Sequence, residues 1–88
     1  MRKTFSERGF EDFLYWQATD KKIFKKINDL IKDIERNGAL NGIGKPEALK
    51  GNFQGYYSRR IDEKNRLIYK ILEDSVEIFQ CKEHYSDK

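Results

Sequence analysis

Two stretches in the first half of the chain repeat apolar residues with the period of an α-helix. Over residues 20–37 they recur every three or four positions, which places them along one helical face. These positions are Ile23, Ile27, Leu30, Ile31 and Ile34. Thr19 or Asp20 can cap the start of this helix, and Asn37 and Gly38 favour its end. A weaker pattern predicts an earlier helix over residues 6–17, with Ser6 as its N-cap.

The second half of the chain contains three segments rich in β-branched and aromatic residues. They are GYYSRRI (55–61), RLIYKIL (66–72) and SVEIFQC (75–81). The joints between them are short, which predicts an antiparallel meander, and RKTF (2–5) is a further strand candidate. Helices followed by strands indicate an α+β fold, with both N-terminal helices packed on one face of the sheet. We expect one domain over residues 1–88.

Residues 37–55 show no sustained period and contain five of the six glycines and the only proline. A loop of this length in so small a domain is usually functional or disordered. Within it, GKPEALKG (44–51) has Pro46 where a short helical turn could begin. The sequence therefore predicts a functional loop that contains one helical turn.

Composition narrows the classes of function. Charged residues make up 38% of the chain and the formal net charge is +3, which suits a polyanionic partner. One cysteine and one histidine can form neither an internal disulfide nor a Cys/His metal cluster, and no apolar run is long enough for a signal peptide or a membrane span. We therefore expect a cytoplasmic protein without a metal, a cofactor or a membrane anchor.

Several polar residues could supply an acid, a base and fixed cations. They are Glu47, Lys50, Arg59, Arg60, Arg66, His84 and Tyr85. Cleavage of RNA through its own 2′-hydroxyl needs a base, an acid for the leaving oxygen, and cations that stabilise the phosphorane. A histidine, with an ordinary pKa of about 6.5, can serve as acid or base near neutral pH.

Each of these residues also has a purely structural interpretation. Glu47 follows a proline and could simply favour the first turn of a helix, and a histidine near the end of a chain is often an ordinary surface residue. Arg59 and Arg60 are adjacent, so the strand pleat directs them to opposite faces and only one can share a face with a given site. The register of the strand decides which one, and the sequence pattern leaves that open.

Three segments together resemble one protein family. DFLYWQATDKKIFKKINDLIKDI, GKPEALKGNFQGYYSRRIDEKNRLIY and CKEHY resemble, in order, the YoeB/Txe branch of the RelE-type toxins of bacterial toxin–antitoxin modules. The match runs from about residue 6 to residue 85. The resemblance implies a small α+β ribonuclease that cleaves translated mRNA in the ribosomal A site without a metal, leaving a 2′,3′-cyclic phosphate.

The resemblance also implies a role for each candidate. Glu47 is expected to be the general base, His84 the general acid, and Arg66 the cation that stabilises the transition state. Lys50, Arg60 and Tyr85 match supporting positions of the family's site, so the resemblance implies that Arg60 rather than Arg59 faces the site. Arg59 is then expected to contact phosphate or ribosomal RNA. This chain departs from the family by three residues after Tyr85 and by Asn65, where a histidine also occurs. His84 is thus the only imidazole available.

The expected partners follow from the same resemblance. They are a small acidic antitoxin of the YefM kind, the ribosome with its mRNA, and a second copy of the chain, while operator DNA would be reached only through the antitoxin. Two other functions stay open: a non-catalytic inhibitor of the ParE kind, and an antitoxin-binding co-repressor module. ParE-type proteins lack the Glu, Arg and His set that is present here.

Overall fold

The computed structural model describes residues 1–84, and within that range the chain forms two long helices and five strands. The elements are β1 (Arg2–Phe5), α1 (Glu7–Thr19), α2 (Lys21–Asn37), β2 (Glu47–Ala48), β3 (Tyr57–Arg60), β4 (Arg66–Leu72) and β5 (Ser75–Gln80). A 3-10 turn, Gly51–Phe53, lies between β2 and β3. Tyr85 and residues 86–88 lie outside the described residues. The α+β fold is confirmed.

Both helices begin at the side chains that the sequence indicates. Ser6 Oγ accepts a hydrogen bond of 2.9 Å from the Gly9 N–H at the start of α1. Asp20, rather than Thr19, caps α2 by accepting from the N–H groups of residues 22 and 23 at 3.1 Å. Gly38, with φ +90°, ends α2 in a conformation that favours glycine. The predicted boundaries of the long helix are therefore correct to within one residue.

The sheet has the strand order β1-β5-β4-β3-β2. Strands β3, β4 and β5 form the predicted antiparallel meander. The meander prediction did not include β1. This strand lies parallel to β5 at the edge of the sheet, so the sheet is mixed rather than purely antiparallel. The two helices between β1 and the meander allow this parallel return, which a hairpin could not make.

The predicted helical turn within GKPEALKG is wrong at its first residues. Glu47 and Ala48 are extended and pair with Ser58 and Tyr57 of β3, and the Leu49 N–H continues the pairing to Tyr56. This pairing satisfies the backbone polar groups of the segment and buries the Leu49 side chain. The helical turn forms later, at Gly51–Phe53. Glu47 is thus held on an edge strand of the sheet.

The two faces of the sheet have different roles. Alternate residues of β4 and β5, such as Leu67, Tyr69 and Ile78, pack with the apolar face of α2 in the main core. The opposite face, which we call the helix-free face, is defined by the register of β2, β3 and β4. Its directly paired residues are Glu47, Ser58, Ile68, Arg60 and Arg66.

Candidate active site

The predicted base and the predicted transition-state cation are in contact on the helix-free face. Glu47 of β2 lies opposite Ser58 of β3, and an Arg66 Nη1–Glu47 Oε1 distance of 3.4 Å makes an ion pair that reaches across β3 from β4. The Glu47 side chain is 56% exposed, whereas that of Arg66 is only 21% exposed. The carboxylate is therefore accessible to a ligand, while the guanidinium is held against the sheet.

Ser58 completes this arrangement, and the sequence analysis missed it. Its hydroxyl is buried and accepts a hydrogen bond of 3.2 Å from Arg66 Nη1. The same Nη1 group therefore contacts both Ser58 and Glu47, which restricts the orientation of the Arg66 guanidinium. The only signal in the sequence was position: Ser58 is two residues from Arg60 on one strand, and so shares a face with it.

Arg60 and Lys50 border the same region. Arg60 lies opposite Arg66 in the β3–β4 register and is exposed on the helix-free face. Its N–H donates to the Gly44 carbonyl at 2.7 Å, which ties the preceding loop to β3. Lys50, also exposed, follows β2 by two residues. Both cations are accessible to an anionic ligand.

The structure contradicts the predicted phosphate contact of Arg59. The register turns Arg59 towards the helices, where it is fully buried. Its guanidinium pairs with Asp33, and its Nε donates to the Tyr69 hydroxyl at 2.9 Å. It also donates to the carbonyls of residues 38, 41 and 43 at 2.8 to 2.9 Å. Because its hydrogen bonds are made inside the fold, Arg59 is a structural residue.

The Arg59 cluster fixes the loop that leads to Glu47. The hydrogen bond from Arg59 holds the pKa of the Asp33 carboxyl below its ordinary value, and the N–H of Ile43 adds to this effect. Burial raises the pKa of Tyr69, whose hydroxyl donates to the Ala39 carbonyl at 2.7 Å. The charged carboxylate and the neutral phenol are thus the forms that the fold requires.

The segment before His84 is anchored to α1 rather than being a loose tail. The buried Asp12 carboxylate accepts from the Cys81 N–H at 3.0 Å, and the Trp16 indole donates to the Cys81 carbonyl at 2.8 Å. Arg8 donates to the Lys82 carbonyl at 3.2 Å. Cys81 itself is buried, as predicted, and burial raises the pKa of its thiol to about 12.

His84 extends from this anchored segment and is exposed. The residue before it, Glu83, accepts a hydrogen bond of 3.2 Å from the Arg66 N–H. The His84 Nε2 lies 3.3 Å from the Glu63 carbonyl oxygen in the β3–β4 turn. The chain thus brings His84 to the start of β4, next to the backbone of the arginine that contacts Glu47. The remaining predicted contact, Tyr85, falls outside the described residues.

Residues 1–84 contain no group of three or more His, Cys, Asp or Glu side chains that could hold a metal ion. Over the same range, no helix has the length and apolar character needed to cross a membrane.

Comparison with known proteins agrees with the resemblance noted above. Residues 5–85 match the family described as the YoeB-like toxin of bacterial type II toxin–antitoxin systems. Toxin YoeB of Escherichia coli (strain K12) is 52% identical over 85 residues, covering 97% of this chain and 100% of that protein. Toxin YoeB of Streptomyces coelicolor is 49% identical over the same length.

Solved structures of YoeB proteins are similar to this chain over almost its full length. The YoeB dimer of Staphylococcus aureus has a TM-score of 0.91 and 55% identity, covering 97% of this chain and 98% of that one. The heterotetrameric YoeB–YefM toxin–antitoxin complex of the same organism gives the same values. YafQ of E. coli, at 20% identity and a TM-score of 0.77, shares the fold. The chain therefore belongs to the YoeB-like toxin family of bacterial type II toxin–antitoxin systems.

Proposed function

We propose that this toxin is an endoribonuclease that cleaves mRNA in the A site of translating ribosomes and so inhibits translation. The observation that carries the proposal is the arrangement at the start of β4. There Arg66 contacts Glu47 through its side chain and the His84-bearing segment through its backbone. An exposed carboxylate, a fixed guanidinium and an exposed imidazole are the groups that cleavage through the 2′-hydroxyl requires.

In the proposed reaction, Glu47 removes the proton of the 2′-hydroxyl, and the 2′-oxygen attacks the adjacent phosphorus. Arg66 donates to the oxygens of the phosphorane, with Arg60 and Lys50 adding positive charge around it. His84 gives a proton to the 5′-oxygen as the phosphorus–oxygen bond breaks. The products are a 2′,3′-cyclic phosphate and a free 5′-hydroxyl, and the proton held by Glu47 balances the one lost by His84.

The contact of His84 with the Glu63 carbonyl suggests which nitrogen transfers the proton. A carbonyl oxygen can only accept, so Nε2 carries a hydrogen in this contact. Nδ1 is then the nitrogen that gains and loses the catalytic proton.

The partners are proposed on the same basis. We expect a small acidic antitoxin of the YefM kind, because the S. aureus relative forms a heterotetramer with YefM, and a homodimer, because that relative also forms a dimer. The mRNA and ribosomal RNA are polyanions, so binding should weaken as the salt concentration rises. Ribosomes place this activity in the cytoplasm, and operator DNA would be reached only through the antitoxin.

Replacement of the proposed base and acid tests this function. Glu47→Gln and His84→Gln should each lower the rate of mRNA cleavage on ribosomes by about 10²-fold or more, the usual contribution of general acid–base catalysis. Glu73→Gln is the matched control, because Glu73 is exposed in the β4–β5 turn. Thermal unfolding of each variant reports whether it is folded.

Two outcomes would contradict the proposal. Wild-type rates in both folded variants would remove Glu47 and His84 from the chemistry. Translation arrest by the wild-type protein with intact mRNA would instead favour a non-catalytic inhibitor of the ParE kind.

A further inference from the structure

The side chain of Asn65 joins the β3–β4 turn to the segment that carries His84. Asn65 Oδ1 accepts a hydrogen bond of 2.7 Å from the Glu83 N–H. Its Nδ2 donates to both carboxylate oxygens of Asp62, at 3.1 and 3.2 Å. Asn65 is only 8% exposed, so the amide is fixed in the orientation that presents its oxygen to Glu83.

Asp62 is itself held by the turn. Its Oδ1 accepts the N–H groups of Lys64 and Asn65 at 2.8 Å, a local pattern that closes many turns. These hydrogen bonds lower the pKa of the Asp62 carboxyl, although burial opposes them. The carboxylate thus stays charged at neutral pH and keeps the Asn65 amide group from flipping.

The backbone at Glu83 needs such support. Glu83 has φ +67°, a left-handed conformation that non-glycine residues seldom adopt. Its N–H donates to Asn65 Oδ1 and its C=O accepts from the Arg66 N–H, so both backbone polar groups of Glu83 are bound by two consecutive residues where β4 begins. This conformation sets the direction of the backbone at the next residue, His84, and therefore the position of its side chain.

The imidazole of His84 rests on the same turn. Its Nε2 is 3.3 Å from the carbonyl oxygen of Glu63, which lies between Asp62 and Asn65 in the chain. One turn therefore contacts the backbone before His84 and the ring of His84 itself. Any shift of the turn relative to residue 83 would change both the backbone conformation at Glu83 and the position of the His84 ring.

We propose that Asn65 is a positioning residue that fixes the proton-donating imidazole of His84 through the backbone of Glu83. This inference rests on the proposed ribonuclease function, in which His84 is the acid. Asn65 would touch neither the substrate nor the reacting atoms. Its loss should misplace the acid without weakening substrate binding, so the rate of the chemical step should fall while the concentration for half-saturation stays unchanged.

Misplacement of a catalytic group by about 1 Å costs on the order of 10²-fold in rate. The Arg66–Glu83 hydrogen bond and the α1 anchor remain in an Asn65→Ala variant, so we expect a smaller loss of about 10-fold in single-turnover cleavage on ribosomes. Asn28→Ala is the matched control, because Asn28 also has a half-buried amide, which donates to the Phe24 carbonyl within α2. Its rate should equal that of the wild type.

Amide hydrogen exchange tests the bridge independently of activity. In the wild type, the Glu83 amide should exchange at least about 10-fold more slowly than in an unfolded chain, and Asn65→Ala should remove that protection. The Cys81 amide, which is bound to Asp12, is the internal control and should stay protected. An unprotected Glu83 amide in the wild type would overturn the proposal even if the variant failed to fold.

A double variant separates positioning from a general effect on folding. If Asn65 acts through His84, Asn65→Ala should have no further effect in a His84→Gln background. A loss of the same factor in both backgrounds would show a merely structural role, and an unchanged rate for Asn65→Ala alone would also refute the proposal. A wild-type rate for His84→Gln would instead refute the proposed function, while the exchange result would still decide whether the bridge exists.

Discussion

Replacing Arg59 with methionine should destabilise the fold by several kcal/mol, whereas the same replacement at Arg60 should have almost no effect on stability. The two residues are adjacent in the chain and identical in type. Arg59 is fully buried and hydrogen-bonded inside the fold, and Arg60 is exposed on the helix-free face. The pair therefore tests the register of β3 with a built-in control.

The size of the stability loss follows from the buried groups that would lose Arg59 as their partner. Removing one member of a buried ion pair costs about 3–5 kcal/mol. The Asp33 side chain is 16% exposed and also accepts from Ile43 and Asn37, so some of its charge stays solvated or bonded. Methionine keeps much of the apolar packing of the arginine stem. We therefore expect about 3 kcal/mol for Arg59→Met and within about 0.5 kcal/mol for Arg60→Met.

Urea unfolding followed by the fluorescence of Trp16 is a suitable assay, because this is the only tryptophan and it is buried in the core. With a urea dependence of about 1 kcal/mol per molar for a chain of this size, the midpoint for Arg59→Met should fall by about 3 M. Arg60→Met should unfold near the wild-type midpoint but cleave mRNA more slowly. Equal midpoints for the two variants, or a larger loss for Arg60→Met, would refute this register.

Three further predictions concern groups around the site and the core. The lowered pKa of Asp33 means that its stabilising effect is present above its ordinary pKa of 3.8 and is lost as pH falls through the lowered value, so Asp33→Asn should flatten the fall in the urea midpoint below pH 3.8. The Cys81 thiol, with its pKa raised to about 12, should resist a thiol reagent at pH 8 and react once urea unfolds the chain; reaction in the native state would contradict its burial. Ser58→Ala should leave Arg66 less firmly oriented and lower the cleavage rate by about 10-fold with little change in binding, and an unchanged rate would exclude that role.

The sequence predicted most of the fold because the periods of its apolar residues are clear. The helix-period pattern of α2 and the short joints between β3, β4 and β5 depend only on neighbouring residues. The strand at Glu47 did not follow from local signals, because two residues after a proline become extended only through pairing with β3. The parallel pairing of β1 with β5 likewise depends on contacts between the two ends of the chain.

Some features of the site were also predicted from the sequence, whereas others depend on contacts between distant residues. The strand pleat showed that Arg59 and Arg60 face opposite sides but not which one faces the site. The family resemblance indicated Arg60, and the register with β4 places Arg60 beside Arg66. The enclosure of Arg59 by loop carbonyls leaves no mark in the sequence, because backbone groups carry no residue identity. Ser58 and Asn65 did not stand out in the sequence because their contacts are to groups distant in the chain, Arg66 and Glu83.

Mapping of mRNA ends in a defined translation reaction tests the central claim most directly. A single mRNA is incubated with the wild-type protein, with and without ribosomes, and the new ends are located by primer extension and examined for a 5′-hydroxyl and a 2′,3′-cyclic phosphate. The proposed function predicts cuts at the A-site codon that need ribosomes, carry these ends, and disappear with His84→Gln. Cuts that carry a 5′-phosphate, or that persist undiminished in the folded His84→Gln variant, would contradict it.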